Sequence, residues 1–173
     1  MTHPQLRIGI MELRRRPGTQ RDVCVTTRLP GLAITSSHVP DDADIAVDAT
    51  LEWIDGGVTV TGTVEVPWRA ECRRCLDEVG GVLTVDLREV FEVRPEEGET
   101  YPIDGDEVDL EPVVRDAALL NLPLAPLCRE SCPGPAPDSF PAVVSEEQEQ
   151  ESELAVPTDP RWAALDQLRF DPD

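Results

Sequence analysis

Four of the five cysteines in this 173-residue chain come as two close pairs, Cys72-x2-Cys75 and Cys128-x3-Cys132. Zinc takes four soft ligands in a tetrahedron, and two loops that each carry a cysteine pair are the usual way to supply them. The x3 spacing is looser than the common x2, and neither pair carries the glycine of a typical zinc knuckle. On spacing alone the plainer reading is favoured: small, partly buried residues with no ligand, the alternative being one zinc ion held by all four. A redox reading of Cys72-Arg73-Arg74-Cys75 draws on the ability of neighbouring cations to lower a thiol pKa. It lacks the strand and long helix that frame a thioredoxin-like site. Cys24, alone in a strand-like run, reads as core.

Arginine is the second chemistry-bearing residue. All fifteen basic residues are arginines, grouped as Arg14, Arg15 and Arg16 with Arg21, and as Arg69, Arg73 and Arg74. If the N-terminal segment pairs beside the strand that ends at Arg69, the two groups form one basic patch, able to steer association with RNA or an acidic partner despite the net charge. Otherwise they are ordinary solvated or ion-paired side chains. No catalytic constellation is visible. Two histidines, His3 and His38, lie in segments expected to be loose, and no phosphate-binding glycine loop, Gly-x-Ser-x-Gly or His-Glu-x-x-His occurs. The expectation is a protein that is not an enzyme and has no small-molecule substrate.

The elements that must position these residues are read from periodicity. Residues 44–70 carry the clearest signal: Ile45, Val47, Ala49, Leu51 and Trp53 alternate with mostly polar residues, Asp55-Gly56-Gly57 turns, and Val58, Val60, Gly62, Val64 and Val66 alternate again. This pattern predicts a β-hairpin with one buried face, delivering Arg69 and the first cysteine pair at its far end. After Gly80-Gly81, residues 82–93 read as another strand, and an antiparallel meander follows. Residues 6–13 read as a short strand in preference to a poor helix, residues 22–36 as extended chain, and residues 94–108 as a long acidic loop. Asp109 followed by Pro112 in a first turn predicts a helix over about 110–121, stopped by Leu122-Pro123 and packed on the sheet. The fold class is therefore α+β: a mainly antiparallel sheet, meander or small barrel-like, with one packed helix.

Composition sets the remaining bounds. The net charge is −20, and it is uneven: residues 1–75 hold nine arginines against ten acids, whereas residues 76–173 hold six against twenty-five. An acidic surface repels the phosphates that supply most non-specific nucleic-acid affinity, so RNA contact is expected only in the first half. Aromatics make up 4% of the chain, too few for a base-stacking platform. Residues 133–157, with Gly134-Pro135-Ala136-Pro137 and the run from Ser145 to Glu153, read as a disordered acidic linker after a domain at 1–132. Residues 158–173 read as a short capped helix whose Trp162, Leu165 and Leu168 need a surface to bury them. No apolar run approaches a membrane span and the opening lacks a signal-peptide core, so a cytoplasmic, non-membrane and monomeric protein is expected.

Several of these residues together resemble the YceD family: Arg16-Pro17-Gly18-Thr19, Cys72-Arg73-Arg74-Cys75-Leu76, Asp109-Leu110-Glu111-Pro112, Leu119-Leu120-Asn121-Leu122-Pro123-Leu124 and Cys128-x3-Cys132-Pro133-Gly134. The ending Asp159-Pro160-Arg161-Trp162-Ala163-Ala164-Leu165 is similar to that of actinobacterial members, in keeping with the lysine-free composition. The resemblance implies a role in synthesis, processing or stability of large-subunit ribosomal RNA, with that RNA or a pre-ribosomal protein as partner and no known reaction. Many similar proteins continue past Cys-Pro-Gly with a further Cys-x-x-Cys-Gly, whereas here Gly134 is followed by Pro135-Ala136-Pro137-Asp138. A metal site would therefore use Cys72, Cys75, Cys128 and Cys132, or not exist. The competing functions are an adaptor acting through the acidic linker and C-terminal helix, and a zinc- or thiol-dependent regulator.

Overall fold

The computed structural model describes residues 3–16 and 18–139. The chain divides into units at Met1–Pro135 and Ala136–Asp173, and the elements below all belong to the first. The expected acidic run and C-terminal helix, with Trp162, Leu165 and Leu168, lie outside the described residues.

Alternation of β-branched residues builds the centre of the sheet. β4 (Ile45–Ile54) and β5 (Gly57–Glu71) form the expected hairpin across Asp55-Gly56, and β6 (Glu78–Glu92) returns antiparallel along the whole of β5. Ile45, Val47, Ala49 and Leu51 on β4, with Val58, Val60, Val64 and Val66 on β5, are at most 1% exposed. This is the buried face that the period of two requires. The opposite face carries Asp48, Glu65, Thr84 and Asp86, all exposed.

Around this meander run β1 (Arg7–Gly9), β2 (Gln20–Thr27), β3 (Ser37–His38), β7 (Tyr101–Asp104) and β8 (Glu107–Asp109). The sheet order is β1-β8-β7-β6-β5-β4-β2, with β3 beside β5 at Ala70 and Arg69. All pairings are antiparallel except β6 with β7. The sheet curls so that its two ends meet through a side chain in place of a ladder: the Arg21 guanidinium of β2 donates to the Gly9 carbonyl of β1 at 2.6 Å. The result is a half-barrel. Its open side takes α2 (Glu111–Asn121), whose Val113, Val114 and Ala118 are buried. Pro112 stands in the first turn, as the sequence indicated, but the N-cap is Leu110 and not Asp109, whose carboxylate, one residue earlier, accepts from the Glu111 N–H at 2.9 Å.

Four other expectations need correction. The segment 6–13 is not one strand: β1 ends at Gly9 and a short helix, α1 (Met11–Arg15), follows. The stretch 94–108 is not a loop throughout, because β7 and β8 arise within it, Ile103 and Val108 pairing to cover the core. Each strand is too short to show alternation: Tyr101-Pro102-Ile103 runs on as three uncharged residues in a row, and Val108 stands alone between Glu107 and Asp109. Gly80-Gly81 does not break the chain but lies inside β6, opposite Arg69 and Trp68. A Cβ on Gly80 would stand 2.7 Å from the Trp68 carbonyl oxygen and one on Gly81 3.3 Å from the indole Nε1, so these glycines make room for the Trp68 backbone and ring. Finally, Cys24 is exposed, on the outward side of β2 opposite Asp48, and not core.

Candidate functional site

β5 and β6 outrun the rest of the sheet. β4 pairs with β5 only as far as Glu65, so residues 66–71 and 78–83 continue as a two-stranded arm, flanked by β3. The turn at its tip carries Cys72 and Cys75. It is closed by Cys72 N–H to the Asp77 carbonyl at 2.8 Å and Leu76 N–H to the Cys72 carbonyl at 2.9 Å. Leu76 sits at φ 65, the left-handed conformation a zinc knuckle usually gives to glycine. The missing glycine therefore did not mean a missing turn. Holding leucine there costs about 1–2 kcal/mol, partly offset because glycine is freer when unfolded. Leu76→Gly is expected to raise stability by about 0.5–1 kcal/mol with the cysteine turn intact, measured by urea unfolding; a loss of stability would show that Leu76, 66% exposed, makes a contact that matters.

The second pair arrives from the chain after α2, and three sets of bonds bring it to the tip. The hydroxyls of Ser36 and Ser37 each donate to the Pro123 carbonyl at 2.9 Å. Arg73 N–H donates to the Pro126 carbonyl at 3.0 Å. The Arg74 guanidinium donates to the carbonyls of Glu130 and Cys132 at 3.0 and 3.1 Å. Arg74 is thus a positioning residue for the cysteines. Sequence reasoning placed it in a partner-binding patch and overlooked Ser36 and Ser37, because a side chain's bond to a distant carbonyl leaves no local pattern.

The four sulfurs of Cys72, Cys75, Cys128 and Cys132 all lie within 4.8 Å of one another. Cys72 and Cys132 are buried, with their sulfurs 3.8 Å apart; Cys75 is half-buried and Cys128 exposed, with sulfurs 3.7 Å apart. These separations are too long for a disulfide, whose sulfurs bond at about 2.05 Å. They match the edge of a zinc–thiolate tetrahedron, about 3.8 Å for Zn–S of about 2.3 Å. The plain reading, small buried residues, fits two of the four cysteines and not the convergence of all four. By donor type and spacing the cluster fits zinc.

The electrostatics point the same way. The backbone N–H of Cys75 directed at the Cys72 sulfur, joined against the effect of burial by the N–H groups of Arg74 and Cys128, lowers that thiol to about 6. Cys75 receives the Asp77 N–H, yet burial and the neighbouring sulfurs of Cys72 and Cys132 push it up to about 12. Cys128 is raised by its contact with the Cys132 sulfur and by burial. The cluster thus stabilises one thiolate and resists others at short range, the condition a divalent cation relieves.

The two arginine groups do not form one patch. Arg14 stacks on Trp53, 5.7 Å from the ring centroid, and pairs with Asp106 at 3.5 Å. Trp53 is opposite Val58, near the start of β5, whereas Arg69 is near its end, about 36 Å along an extended strand. The condition for a joint patch fails because the N-terminal segment pairs with β8, at the sheet end remote from the arm. Arg69 forms an ion pair with Glu78. Arg15, Arg16 and Arg73 are exposed, and among the described residues no ion pair engages them. Beside the cysteines, a cleft lined by Ile34, Arg69, Glu71, Arg73, Glu78 and Leu124 joins apolar side chains with charges of both signs. Among the described residues no helix is long and apolar enough to cross a membrane.

Comparison with known proteins adds the lineage. The family described as "Large ribosomal RNA subunit accumulation protein YceD" matches residues 60–169, a span that takes in all four clustered cysteines. Uncharacterized proteins of Mycobacterium bovis and of Mycobacterium tuberculosis are each 34% identical over 166 residues, covering 91% of this chain and 78% of theirs. An uncharacterized protein of Mycobacterium leprae is 32% identical, covering 90% of this chain and 74% of its own. No solved structure matches. The family match spans most of the chain and the mycobacterial relatives nearly all of it, and this protein belongs to the YceD family.

Proposed function

We propose that this protein supports the accumulation of large-subunit ribosomal RNA without catalysing a reaction, by binding that RNA or a pre-ribosomal protein with the tip of the β5–β6 arm. The observation that carries this reading is the family match, whose description names an accumulation role and no reaction. The convergence of the cysteines supports the choice of surface: a zinc ion there would rigidify a tip that presents Arg73, Leu76 and Leu124 to solvent. A role on ribosomal RNA places the protein in the cytoplasm, where unpaired cysteines are at home.

Arg73 and Arg74 divide the work. Arg74 holds the second cysteine segment, so its loss would damage the site whatever the site binds. Arg73 presents its side chain to solvent and is the clean probe. Arg73→Glu is expected to reduce co-sedimentation with large-subunit precursors by about tenfold, a charge reversal at a phosphate or acidic contact being worth 1–2 kcal/mol, while metal content is unchanged. Unchanged ribosomal RNA levels in a deletion strain would remove the proposal altogether.

A further inference from the structure

β6 is fifteen residues long, yet on the side away from β5 only Phe91 and Glu92 have a strand neighbour. Over residues 78–90 that edge makes no backbone hydrogen bond to any described residue. Proteins guard such an edge with charged side chains, lysine above all, with proline, with a covering segment or with extreme shortness. β1, β3, β7 and β8 are two to four residues long, and the edge of β2 meets the N-terminal segment through Arg21 and Gly9. β6 has no proline and no lysine, and its charged residues, Glu78, Asp86, Arg88, Glu89 and Glu92, leave residues 79–85 without any charge. Residues 79–85 of β6 are the longest edge stretch among the described residues with neither a pairing strand nor a charge.

We propose that this edge docks an extended, basic segment of a partner protein, which adds a strand beside β6. The row of unpaired N–H and C=O groups would supply the affinity and the flanking side chains the selectivity. On the concave side an incoming strand meets Leu83 and Val85, both half-buried, and on the convex side Thr84 and Asp86, both exposed. The matching segment therefore alternates apolar residues with arginine or lysine.

Charge selects this occupant over the others. Residues 76–139 hold sixteen acids against four arginines, a field that attracts a cationic peptide and repels RNA phosphates. A second copy of a chain carrying −20 would bring two such edges together against their own repulsion.

The test uses the full chain and a blocked nonapeptide of alternating valine and arginine, followed by titration and by amide hydrogen exchange. Binding is expected to be saturable and to slow exchange about tenfold at alternate amides between Val79 and Val90. Val85→Lys, which places a charge on the concave side of the edge, is expected to weaken binding about tenfold. Asp86→Arg, at an exposed position, serves if the first variant misfolds and is expected to weaken it about threefold. The same peptide with Pro-Pro inserted at its centre keeps every arginine but interrupts both of its hydrogen-bonding edges. Equal binding of that peptide, protection outside β6, two variants indistinguishable from the parent, or protection of β6 by a single-stranded RNA oligonucleotide in place of the peptide would each overturn the proposal.

Discussion

Purified under reducing conditions, the protein is expected to carry about one zinc ion per chain, and Cys132→Ser is expected to abolish it while Cys24→Ser leaves it unchanged. Cys132 is buried against Cys72 with their sulfurs 3.8 Å apart, and among the described residues only the four cysteines form the cluster. A serine hydroxyl does not ionise in the range where a thiolate does. Structural zinc in small domains is worth about 10–16 kcal/mol of apparent binding energy. Here the hydrophobic core, from Ile45 and Val60 to Phe91 and Val114, is built from residues other than the four cysteines and is expected to survive loss of the metal. The loss should therefore be felt locally, as faster amide exchange at Arg73 and from Leu127 to Cys132, where bonds such as Arg73 N–H to the Pro126 carbonyl hold the second segment. Elemental analysis decides the matter, since metal near zero in the parent leaves only thiol chemistry for the cluster.

The pH dependence follows from the thiols. Cys75 and Cys128 have raised pKa values, so at neutral pH zinc must displace protons from both. Its affinity should fall as pH falls, by at least about a hundredfold per unit, since at least these two protons are displaced. Near pH 6 the fall should steepen, because Cys72, otherwise already ionised, begins to take up a proton as well. Zinc retention measured from pH 8 to pH 5 reads this directly. A flat profile would mean that the ligands are not these thiols.

Much of the scaffold around the cysteines was legible because it repeats. Ile45 to Leu51 and Val58 to Val66 alternate over many residues, and the Asp109, Pro112 and Leu122-Pro123 signals bound α2 within one residue of where it lies. β7 and β8 were not legible: four- and three-residue strands leave no period to detect and owe their form to pairing with neighbours. The same distinction divides the site. The two cysteine pairs are local patterns, placed by sequence at the end of a strand and after a helix, where they are found. Their convergence depends on Ser36, Ser37 and Arg74 reaching carbonyls 56 to 87 residues away, which no spacing encodes. The arginine patch failed for the converse reason. Two clusters of like residues suggested one surface, but register sets distance: β1 pairs with β8, so Arg14 settles beside Trp53 and far from Arg73.

Gly62 is where the sheet should be least tolerant of change. It sits mid-hairpin on the core-facing side of β5, between Val60 and Val64, opposite Ala49 of β4 and Leu87 of β6. A Cβ there would lie 2.1 Å from the Asp48 carbonyl oxygen and 2.6 Å from the Ala49 Cα. Both obstacles are backbone of the neighbouring strand, so no rotamer change relieves them. The β4–β5 ladder would have to open at the point where Ile45, Val47 and Leu51 depend on it for burial. Gly62→Ala is therefore expected to cost about 3 kcal/mol, lowering the thermal midpoint by about 10 °C. At the β4–β5 turn a Cβ on Gly56 would touch nothing within 4 Å, and only its φ of 90 resists a side chain, so Gly56→Ala should cost about 1–2 kcal/mol. If the two variants unfold alike, close approach of the strands is not what requires glycine at position 62; if Gly62→Ala falls well below Gly56→Ala, the tight contact between β4 and β5 sets the stability of the half-barrel that carries the cysteine arm.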